Sequence, residues 1–347
     1  MTRRSLIRAG AGTALLVGPL VLVALYGGLI AEPAGKRVVV SFLIALLLVV
    51  AIQTFSGNSG IVSFGHVAFM GVGAYAGALL TIPPATKASA LPQLPQALLD
   101  VQLGLLPAVA VATIVTAVVA ALVGLVLTRM EPYAMAMATI GVLVIFFVLF
   151  EAGKDVTRGT GGLYGIPSNV TLTVACVAAI ATILVARLFR ESSWGIKLRA
   201  SRQDALAAEA LGADVVRLRL GAWILSGALM GAGGALWAQY NLAFGPKQFF
   251  FTQTFDLLAM LVIGGMTTVS GAVAGAALIT AATQLLRKLE GGFAIGGVEI
   301  AGMAGMTSIL VAVLILVSLR ARPEGLLGTR ELDERIAIPT PWRRKRP

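Results

Sequence analysis

Long apolar segments separated by short polar ones are the feature that most limits how this chain can fold. Hydrophobic residues make up 58% of the sequence and charged residues 12%, and the mean hydropathy is +0.91. Soluble domains carry about 25% charged residues, whereas a helix of about 20 apolar residues crosses a hydrocarbon core of roughly 30 Å. The sequence therefore predicts an all-α, polytopic integral membrane protein.

Ten spans can be placed along the chain, and an even number puts both termini on one side of the membrane. With the N-terminus inside, the inner segments hold 19 of the 27 Lys and Arg residues, as expected because cytoplasmic loops carry an excess of basic residues. We therefore expect an N-in, C-in orientation, although Lys36–Arg37 and Arg287–Lys288 fall outside, against the pattern. The expected spans are 11–31, 38–56, 60–82, 104–128, 133–150, 169–189, 220–240, 253–268, 270–287 and 298–319.

The ends of the chain and its charge define the domain organisation. The first apolar run, Ala11 to Ile30, is too long for the apolar part of a signal peptide, so we expect a retained transmembrane helix. Residues 1–328 are expected to form the transmembrane domain, and 329–347 a basic, disordered cytoplasmic tail attracted to anionic lipid. The net charge of +11 lies at the ends of apolar runs, which indicates membrane lipid and not nucleic acid as the partner. The single cysteine, Cys176, excludes an intramolecular disulfide.

The segment from Arg187 to Arg219 is the one long polar stretch in the middle of the chain, and it contains seven basic residues. We expect a cytoplasmic loop at 190–219 that holds a short helix over 202–211. Ser201 would cap its N-terminus together with Asp204, and Gly212 would end it in the left-handed conformation. The side chains along this helix are small: Ala205, Ala207, Ala208 and Ala210. Such a helix suits either docking into a groove of a partner or a simple solvated connector.

Two segments interrupt the apolar pattern, one in each half of the chain. The first, Gly57 to Leu80, is rich in glycine, and its Gly73-x-x-x-Gly77 pattern is typical of close helix packing. The second, Ile263 to Ala277, is rich in Gly, Thr and Ser. Paired interruptions indicate a transport site, which we expect to involve Asn58, Ser63, His66, Tyr75, Thr267, Thr268 and Ser270. His66 could equally be a packing histidine bonded to a backbone carbonyl.

Other chemistry has little support in the sequence. One histidine and one cysteine make no zinc cluster, no phosphate-binding Gly-Lys-Ser/Thr motif occurs, and the glycine-rich segment Glu151–Ser168 is expected to be a mobile external loop. Asp256 and Glu299 are acids in apolar surroundings, as functional intramembrane groups are, but each could also be a helix N-terminal residue. With no pair of buried carboxylates and no catalytic set, an ion-coupled secondary transporter and an intramembrane enzyme are both disfavoured. We expect no metal and no cofactor bound by this chain.

Several motifs together resemble the permease subunits of branched-chain amino acid ABC importers, the LivM-type subunit in particular. They span about residues 38 to 328 in the order of that family, with mild departures at Met70 and at Thr267–Thr268. The motifs are SGNSGIVSFGHVAFMGVGAYAGALL, MAMATIGVLVIF, TGGLYGIP, WGIKLRASRQDALAAEALGADVVRLRLGAWILSGALMGAGGALWA, DLLAMLVIGGMTTVSGAVAGAAL and RPEGLLG.

The resemblance implies a multi-pass permease of the plasma or inner membrane that catalyses no covalent reaction. It would pair with a second related permease, two cytoplasmic ATPases that hydrolyse ATP, and an extracytoplasmic solute-binding protein. Importers of urea and short-chain amides share these motifs, so that substrate class stays open. The resemblance also implies that the central loop engages the ATPase through Arg202, Asp204, Ala207, Ala208, Glu209, Ala210, Leu211 and Gly212.

Overall fold

The computed structural model describes residues 16–28, 32–290, 293–295 and 298–300, together with scattered positions between 309 and 332. The described part of the chain is helical apart from one short antiparallel hairpin, β1 (Phe293–Ile295) and β2 (Val298–Ile300). The helices are α1 (Leu16–Gly28), α2 (Pro33–Ser59), α3 (His66–Thr81), α4 (Pro84–Ala90), α5 (Gln96–Leu99), α6 (Leu105–Leu127), α7 (Pro132–Ala152), α8 (Lys154–Thr157), α9 (Leu172–Glu191), α10 (Ser193–Gln203), α11 (Ala205–Ala210), α12 (Val215–Asn241), α13 (Phe251–Gly264) and α14 (Val269–Glu290).

Six of the described helices are long and apolar enough to cross a membrane: α2, α6, α7, α9, α12 and α14. Helices α3 and α4 pass the same test only together, and they are bent by 120° at their junction. The expected spans 11–31 and 253–268 correspond to the shorter helices α1 and α13. The last expected span, 298–319, begins on β2 and otherwise falls mostly outside the described residues. The number ten and the N-in, C-in orientation stay predictions.

Helix α2 is the centre of the helical body. From Phe42 to Ser59 nearly every side chain is buried, because α9, α10, α12, α13 and α14 all pack against it. From Phe42 to Ile52 the helix is apolar on every side, so this stretch has no face suited to water. Helices α6 and α7 instead expose apolar side chains such as Leu122 and Ile145, as helices in contact with lipid do.

Glycines allow the backbones of α3 and α12 to touch. A Cβ atom added at Gly73 would lie 2.2 Å from the carbonyl oxygen of Gly231, and one at Gly77 would lie 2.6 Å from the Cβ of Ala235. The packing role predicted for Gly73-x-x-x-Gly77 is thereby confirmed. Helices α13 and α14 meet in the same way, since a Cβ at Gly275 would lie 1.9 Å from the carbonyl oxygen of Met260.

The segment Glu151–Ser168, predicted to be a mobile loop, is held against the chain that follows α12. Its Leu163 amide donates to the Phe244 carbonyl at 2.8 Å, and the Phe244 amide donates back at 3.0 Å. Within the segment, the Arg158 guanidinium lies 4.5 Å from the ring centroid of Tyr164. The loop therefore has a defined backbone path, because pairing with a second segment satisfies its polar groups.

Replacing Gly73 with leucine should disrupt the bundle. The new side chain would meet backbone atoms of α12 that cannot move aside, and overpacking of a fitted core costs about 1–3 kcal/mol or more. We expect a clear fall in the thermal stability of the purified protein and in the amount of assembled complex, measured by fluorescence-detected size-exclusion chromatography after heating.

Gly141→Leu on α7 is the matched control, because Gly141 is exposed and a Cβ there would meet nothing within 4 Å. This variant should behave like the parent. Equal stability of the two leucine variants would show that the contact between α3 and α12 is not required.

Candidate functional site

The helical body has two ends, and each carries a different set of polar groups. One end, which we call the loop face, holds α10 and α11, the end of α2, the start of α12 and the connection between α13 and α14. Its parts are in contact: the side chain of Arg202 packs at Gly60, and a Cβ at Gly57 would lie 2.5 Å from the carbonyl oxygen of Met266. The opposite end, which we call the cavity face, holds the starts of α2 and α13 and the ends of α12 and α14.

The central loop contains two helices in place of the one predicted at 202–211. Ser201 is not an N-cap: it lies inside α10, and its hydroxyl donates to the Leu198 carbonyl. Asp204 separates the helices and caps α11, accepting a hydrogen bond from the Ala207 amide at 3.0 Å. The difference arises because Ser192 starts the first helix upstream, accepting from the Gly195 amide, which places Ser201 in its last turn.

The predicted stop at Gly212 is confirmed. Gly212 has φ +81°, its amide donates to the Glu209 carbonyl, and the Ala213 amide donates to the Ala208 carbonyl. This pair of bonds is a Schellman motif, which satisfies the last carbonyl groups of a helix. Helix α11 therefore has a defined beginning and a defined end.

The exposed surface of α11 is apolar, but it differs from the one predicted. Ala208 is 6% exposed and faces its own chain, whereas Leu206 and Leu211 are 79% and 89% exposed. Ala207, Glu209, Ala210 and Gly212 also face outward. The Ala208 side chain, which was predicted to contact a partner, is therefore covered by its own chain. The large apolar side chains on the outer side are those of Leu206 and Leu211.

The first interruption lies between α2 and α3. Gly60 takes φ +77° after α2 ends, and α3 begins at His66. Arg202 of α10 donates to the Gly57 carbonyl at 3.3 Å, so α10 is bonded directly to this break. Asn58 is fully buried, and its amide nitrogen donates to the Thr54 carbonyl.

His66 lies in a box of aromatic rings. Its Nδ1 is 2.7 Å from the Ser63 hydroxyl, and its ring centroid lies 4.8 Å from that of Trp223 and 5.7 Å from that of Phe55. The side chain is completely buried. Its bond goes to a serine and not to the backbone carbonyl considered from the sequence.

Tyr75 lies apart from these residues. It packs against Phe150 and Phe244, at centroid distances of 4.9 and 5.0 Å. Nine residues along α3 separate it from His66, a distance of about 13 Å. The structure therefore brings Asn58, Ser63 and His66 to one region and leaves Tyr75 in another.

The second interruption is organised by a carboxylate from the far end of the chain. Glu331 is 1% exposed, although the sequence assigned it to a disordered tail. Its oxygens accept from the Val269 and Ser270 amides at 2.9 and 3.1 Å and from the Ser270 hydroxyl at 2.7 Å. Glu331 thereby caps the N-terminus of α14, where a negative charge is favoured.

The same carboxylate forms two buried ion pairs with α9. The Arg187 Nη1 lies 3.2 Å from Glu331 Oε2, and the Arg190 Nε lies 2.9 Å from Oε1. Arg190 also donates to the Thr267 carbonyl at 2.6 Å. Burial alone would raise the pKa of the Glu331 carboxyl, but Arg190, Arg187, Ser270 and the Val269 amide together lower it below its ordinary value.

At the loop face the two interruptions are packed against each other. The contact between Gly57 and the Met266 carbonyl leaves no room even for a methyl group. Thr268 accepts from the Gly271 amide, and Ser270 is bonded to Glu331. The two interruptions are therefore in direct contact at this end of the described helices.

At the cavity face the described residues of α2, α12, α13 and α14, together with Ala312, line a cavity of about 840 Å³. Asp256 lines it, at the sixth position of α13 and outside the first turn, so its reading as a helix N-terminal residue is wrong. The polar side chains that line the cavity are those of Arg37, Ser41, Tyr240, Asn241, Thr252, Gln253, Asp256, Thr280, Thr283, Gln284 and Arg287. Glu299, the other acid singled out, lies on β2. Within the described ranges, no three His, Cys, Asp or Glu side chains come together as metal ligands would.

Comparison with known proteins identifies the chain. The family described as "Branched-chain amino acid transport system / permease component" matches residues 35–319. The chain belongs to this permease family. It is therefore a multi-pass protein of the plasma membrane, in agreement with its apolar spans.

Individual relatives agree with the family. The permease is 23% identical over 320 residues to the high-affinity branched-chain amino acid transport system permease protein LivM of Salmonella typhimurium, which covers 82% of this chain and 68% of the relative. LivM of Escherichia coli matches to the same extent. The probable branched-chain amino acid transport permease protein LivH of Methanocaldococcus jannaschii is 30% identical over 146 residues, 41% of this chain and 42% of that protein.

Sequence reasoning missed three groups of this permease: the Glu331 carboxylate, its partners Arg187 and Arg190, and most of the cavity lining. Arg187 and Arg190 stood out only as basic residues at the end of a span. Their spacing of three residues places both on one helix face, which was an available signal for a shared anionic partner.

Replacing Glu331 with glutamine should destabilise the permease at neutral pH by about 3 kcal/mol, because removing one partner of a buried ion pair leaves the other charges uncompensated. A lowered pKa in the folded state stabilises the fold at pH values above the ordinary pKa of the group. The stability difference between parent and variant should therefore be complete at pH 7. It should shrink as the pH falls below 4.5, the ordinary value for this carboxyl.

Thermal unfolding of both proteins in nanodiscs, measured across this pH range, tests the expectation. Glu324→Gln serves as the control, because Glu324 is an exposed carboxylate of the same segment. A stability loss in Glu331→Gln that persists unchanged at low pH would contradict the assigned role of its charge.

Proposed function

We propose that this chain forms, together with a second related permease, the translocation path of an ATP-driven importer of branched-chain amino acids. Two cytoplasmic ATPases would supply the energy, and an extracytoplasmic binding protein would deliver the substrate. The observation that carries the proposal is the opposite placement of two features within a member of this family. A polar cavity opens at one end of the helical body, and a rigidly capped, apolar helix is exposed at the other.

In this reading the structure corresponds to an outward-facing state. A cavity lies at the cavity face, whereas the two interruptions touch at Gly57 and Met266 on the loop face. Alternating access then requires the two interruptions to separate when ATP acts on the partner subunits. This chain itself catalyses no covalent reaction.

Helix α11 is the coupling element in this proposal. Leu206 and Leu211 would anchor it in a groove of the ATPase, because exposed apolar side chains on a short helix are read by a complementary groove. Asp204 and the Schellman motif at Gly212 give the helix defined ends, so that it moves as a rigid piece.

The contact between Arg202 and Gly57 gives the coupling element a route to the point where the two interruptions touch. Arg202 lies on α10, one residue before the end of that helix, and its guanidinium holds the last turn of α2. A displacement of α10 and α11 would therefore act directly on the break between α2 and α3. Side chains near that break and near the second interruption would line the path when it opens: Asn58, Ser63, His66, Thr267, Thr268 and Ser270.

Uptake by the reconstituted complex tests the proposed substrate. Proteoliposomes that contain both permeases and the ATPases, supplied with binding protein and ATP, should accumulate leucine, isoleucine or valine. Accumulation of urea or a short-chain amide in their place would assign the complex to the alternative substrate class. Accumulation driven by an ion gradient without ATP would overturn the proposal.

Replacing Leu211 with aspartate should weaken docking of the ATPase. Loss of one buried apolar anchor at an interface costs about 2 kcal/mol or more, so the purified complex should lose ATPase subunits and uptake should fall. Met130→Asp introduces the same charge at an exposed apolar position of the turn after α6, outside α11, and should leave both quantities unchanged. Equal behaviour of the two variants in pull-down and uptake would show that α11 is only a connector.

Cysteine labelling tests the orientation. In a Cys176→Ser background, a membrane-impermeant maleimide applied to intact cells should label Lys247→Cys on the cavity face. It should not label Ala207→Cys on α11 until the cells are opened. Both positions are exposed in the structure, so the reverse labelling pattern would invert the topology.

A further inference from the structure

We propose that the open cavity between α2, α12, α13 and α14 binds the amino-acid substrate as a zwitterion. Asp256 faces its ammonium group, Arg287 and Arg37 face its carboxylate, and the aliphatic side chain points inward. This assignment rests on the proposed function. It adds the groups that recognise the two charges, which neither the family nor the relatives assign.

Asp256 has the features of a ligand-binding carboxylate. It lies in the second turn of α13, and among the residues that the structure describes it forms no hydrogen bond or ion pair. Arg287 lines the same cavity without forming an ion pair with Asp256. An ionisable group within a membrane segment is costly to maintain and is usually retained for function.

The two arginines supply the opposite charge. Arg37 and Arg287 both line the cavity and are both exposed. They belong to the two basic pairs that contradict the expected orientation, since basic residues are depleted on the outer side of a membrane. Attraction of the substrate carboxylate would explain why these arginines are present on this side. A guanidinium is well suited to bind a carboxylate through two parallel hydrogen bonds.

The depth of the lining residues sets the direction of the substrate. On α2, Ile44 and Leu48 follow Arg37 toward the centre of the body, and on α13 Met260 follows Asp256 by one turn. On α14, Ile279 precedes Arg287 by about two turns, again toward the centre. Charged groups therefore lie at the mouth and apolar groups at the base, where the side chain of leucine, isoleucine or valine would lie.

A fluorescent reporter already lies in the wall of the cavity. Trp237 lines it, so ligand binding can be followed by its emission in the assembled complex in nanodiscs, without nucleotide. The variant Trp237→Phe identifies its share of the signal among the four tryptophans of the chain. Three probes separate the charges: leucine, 4-methylpentanoate, which lacks the ammonium group, and 3-methylbutylamine, which lacks the carboxylate.

Each variant should lose affinity only for the probes that carry the group bound by the replaced residue, which is the ammonium group for Asp256 and the carboxylate for Arg287. Asp256→Asn should weaken binding of leucine and of 3-methylbutylamine by about tenfold or more, the usual effect of losing one charge-assisted hydrogen bond. Its affinity for 4-methylpentanoate should not fall. Arg287→Gln should weaken leucine and 4-methylpentanoate and spare 3-methylbutylamine.

Asp155→Asn and Lys247→Gln are matched controls, because both remove an exposed charge outside the cavity lining, and they should bind all three probes like the parent. Equal losses for all three probes in each cavity variant would overturn the assignment, as would unchanged binding in both.

The result is separable from that of the proposed function. If the parent complex imports leucine but the cavity variants bind the probes like the parent, only the zwitterion site is wrong. If the parent complex does not import branched-chain amino acids, the proposed function fails whatever the probes show.

Discussion

Direct contact between helix backbones is the constraint on which the rest of this structure depends. Lipid tails are as apolar as leucine side chains, so helices in a membrane gain little by burying apolar surface and associate by close packing. Gly73 and Gly231 let α3 and α12 touch, and Gly275 does the same for α14 and α13. Through α12, α13 and α14 both helix pairs pack against α2, which is buried because its neighbours enclose it. The cavity and the loop face are where this packing ends.

At the loop face, ion pairs and hydrogen bonds hold the segments together. Glu331 binds the N-terminus of α14 and both arginines at the end of α9, and it joins a segment that follows the last expected span to the start of the central loop. A buried carboxylate would be costly alone, but two guanidiniums and three hydrogen-bond donors compensate for it. Arg202 adds a second connection, from α10 to the end of α2. Through these bonds the polar loop and the transmembrane helices form one mechanical unit.

The two faces thereby acquire opposite properties. At the loop face the two interruptions touch at Gly57 and Met266, where not even a methyl group would fit. At the cavity face α2, α12, α13 and α14 diverge and leave hydroxyl, amide and charged groups open. The importer proposed above, alternating between outward and inward access, would need this asymmetry and an element that reverses it. The bond from Arg202 on α10 to the end of α2 is suited to transmit such a change.

The sequence by itself determined the membrane class, the family, the positions of the long spans and the local devices that depend on neighbouring residues. Gly73-x-x-x-Gly77 predicted close packing, and Gly212 predicted a helix end, because glycine acts through its own backbone and small size.

The features that depend on residues distant in sequence were decided only by the tertiary structure. Ser201 failed as a cap because Ser192 starts the helix earlier, and Ala208 faces inward because its neighbours in space cover it. Glu331 looked like one charge in a polar tail, since nothing near it in sequence reveals the amides and guanidiniums, roughly 60 or more residues away, that make it a buried cap. Asp256 was visible as an acid, but its place opposite Arg287 follows from how α13 and α14 pack.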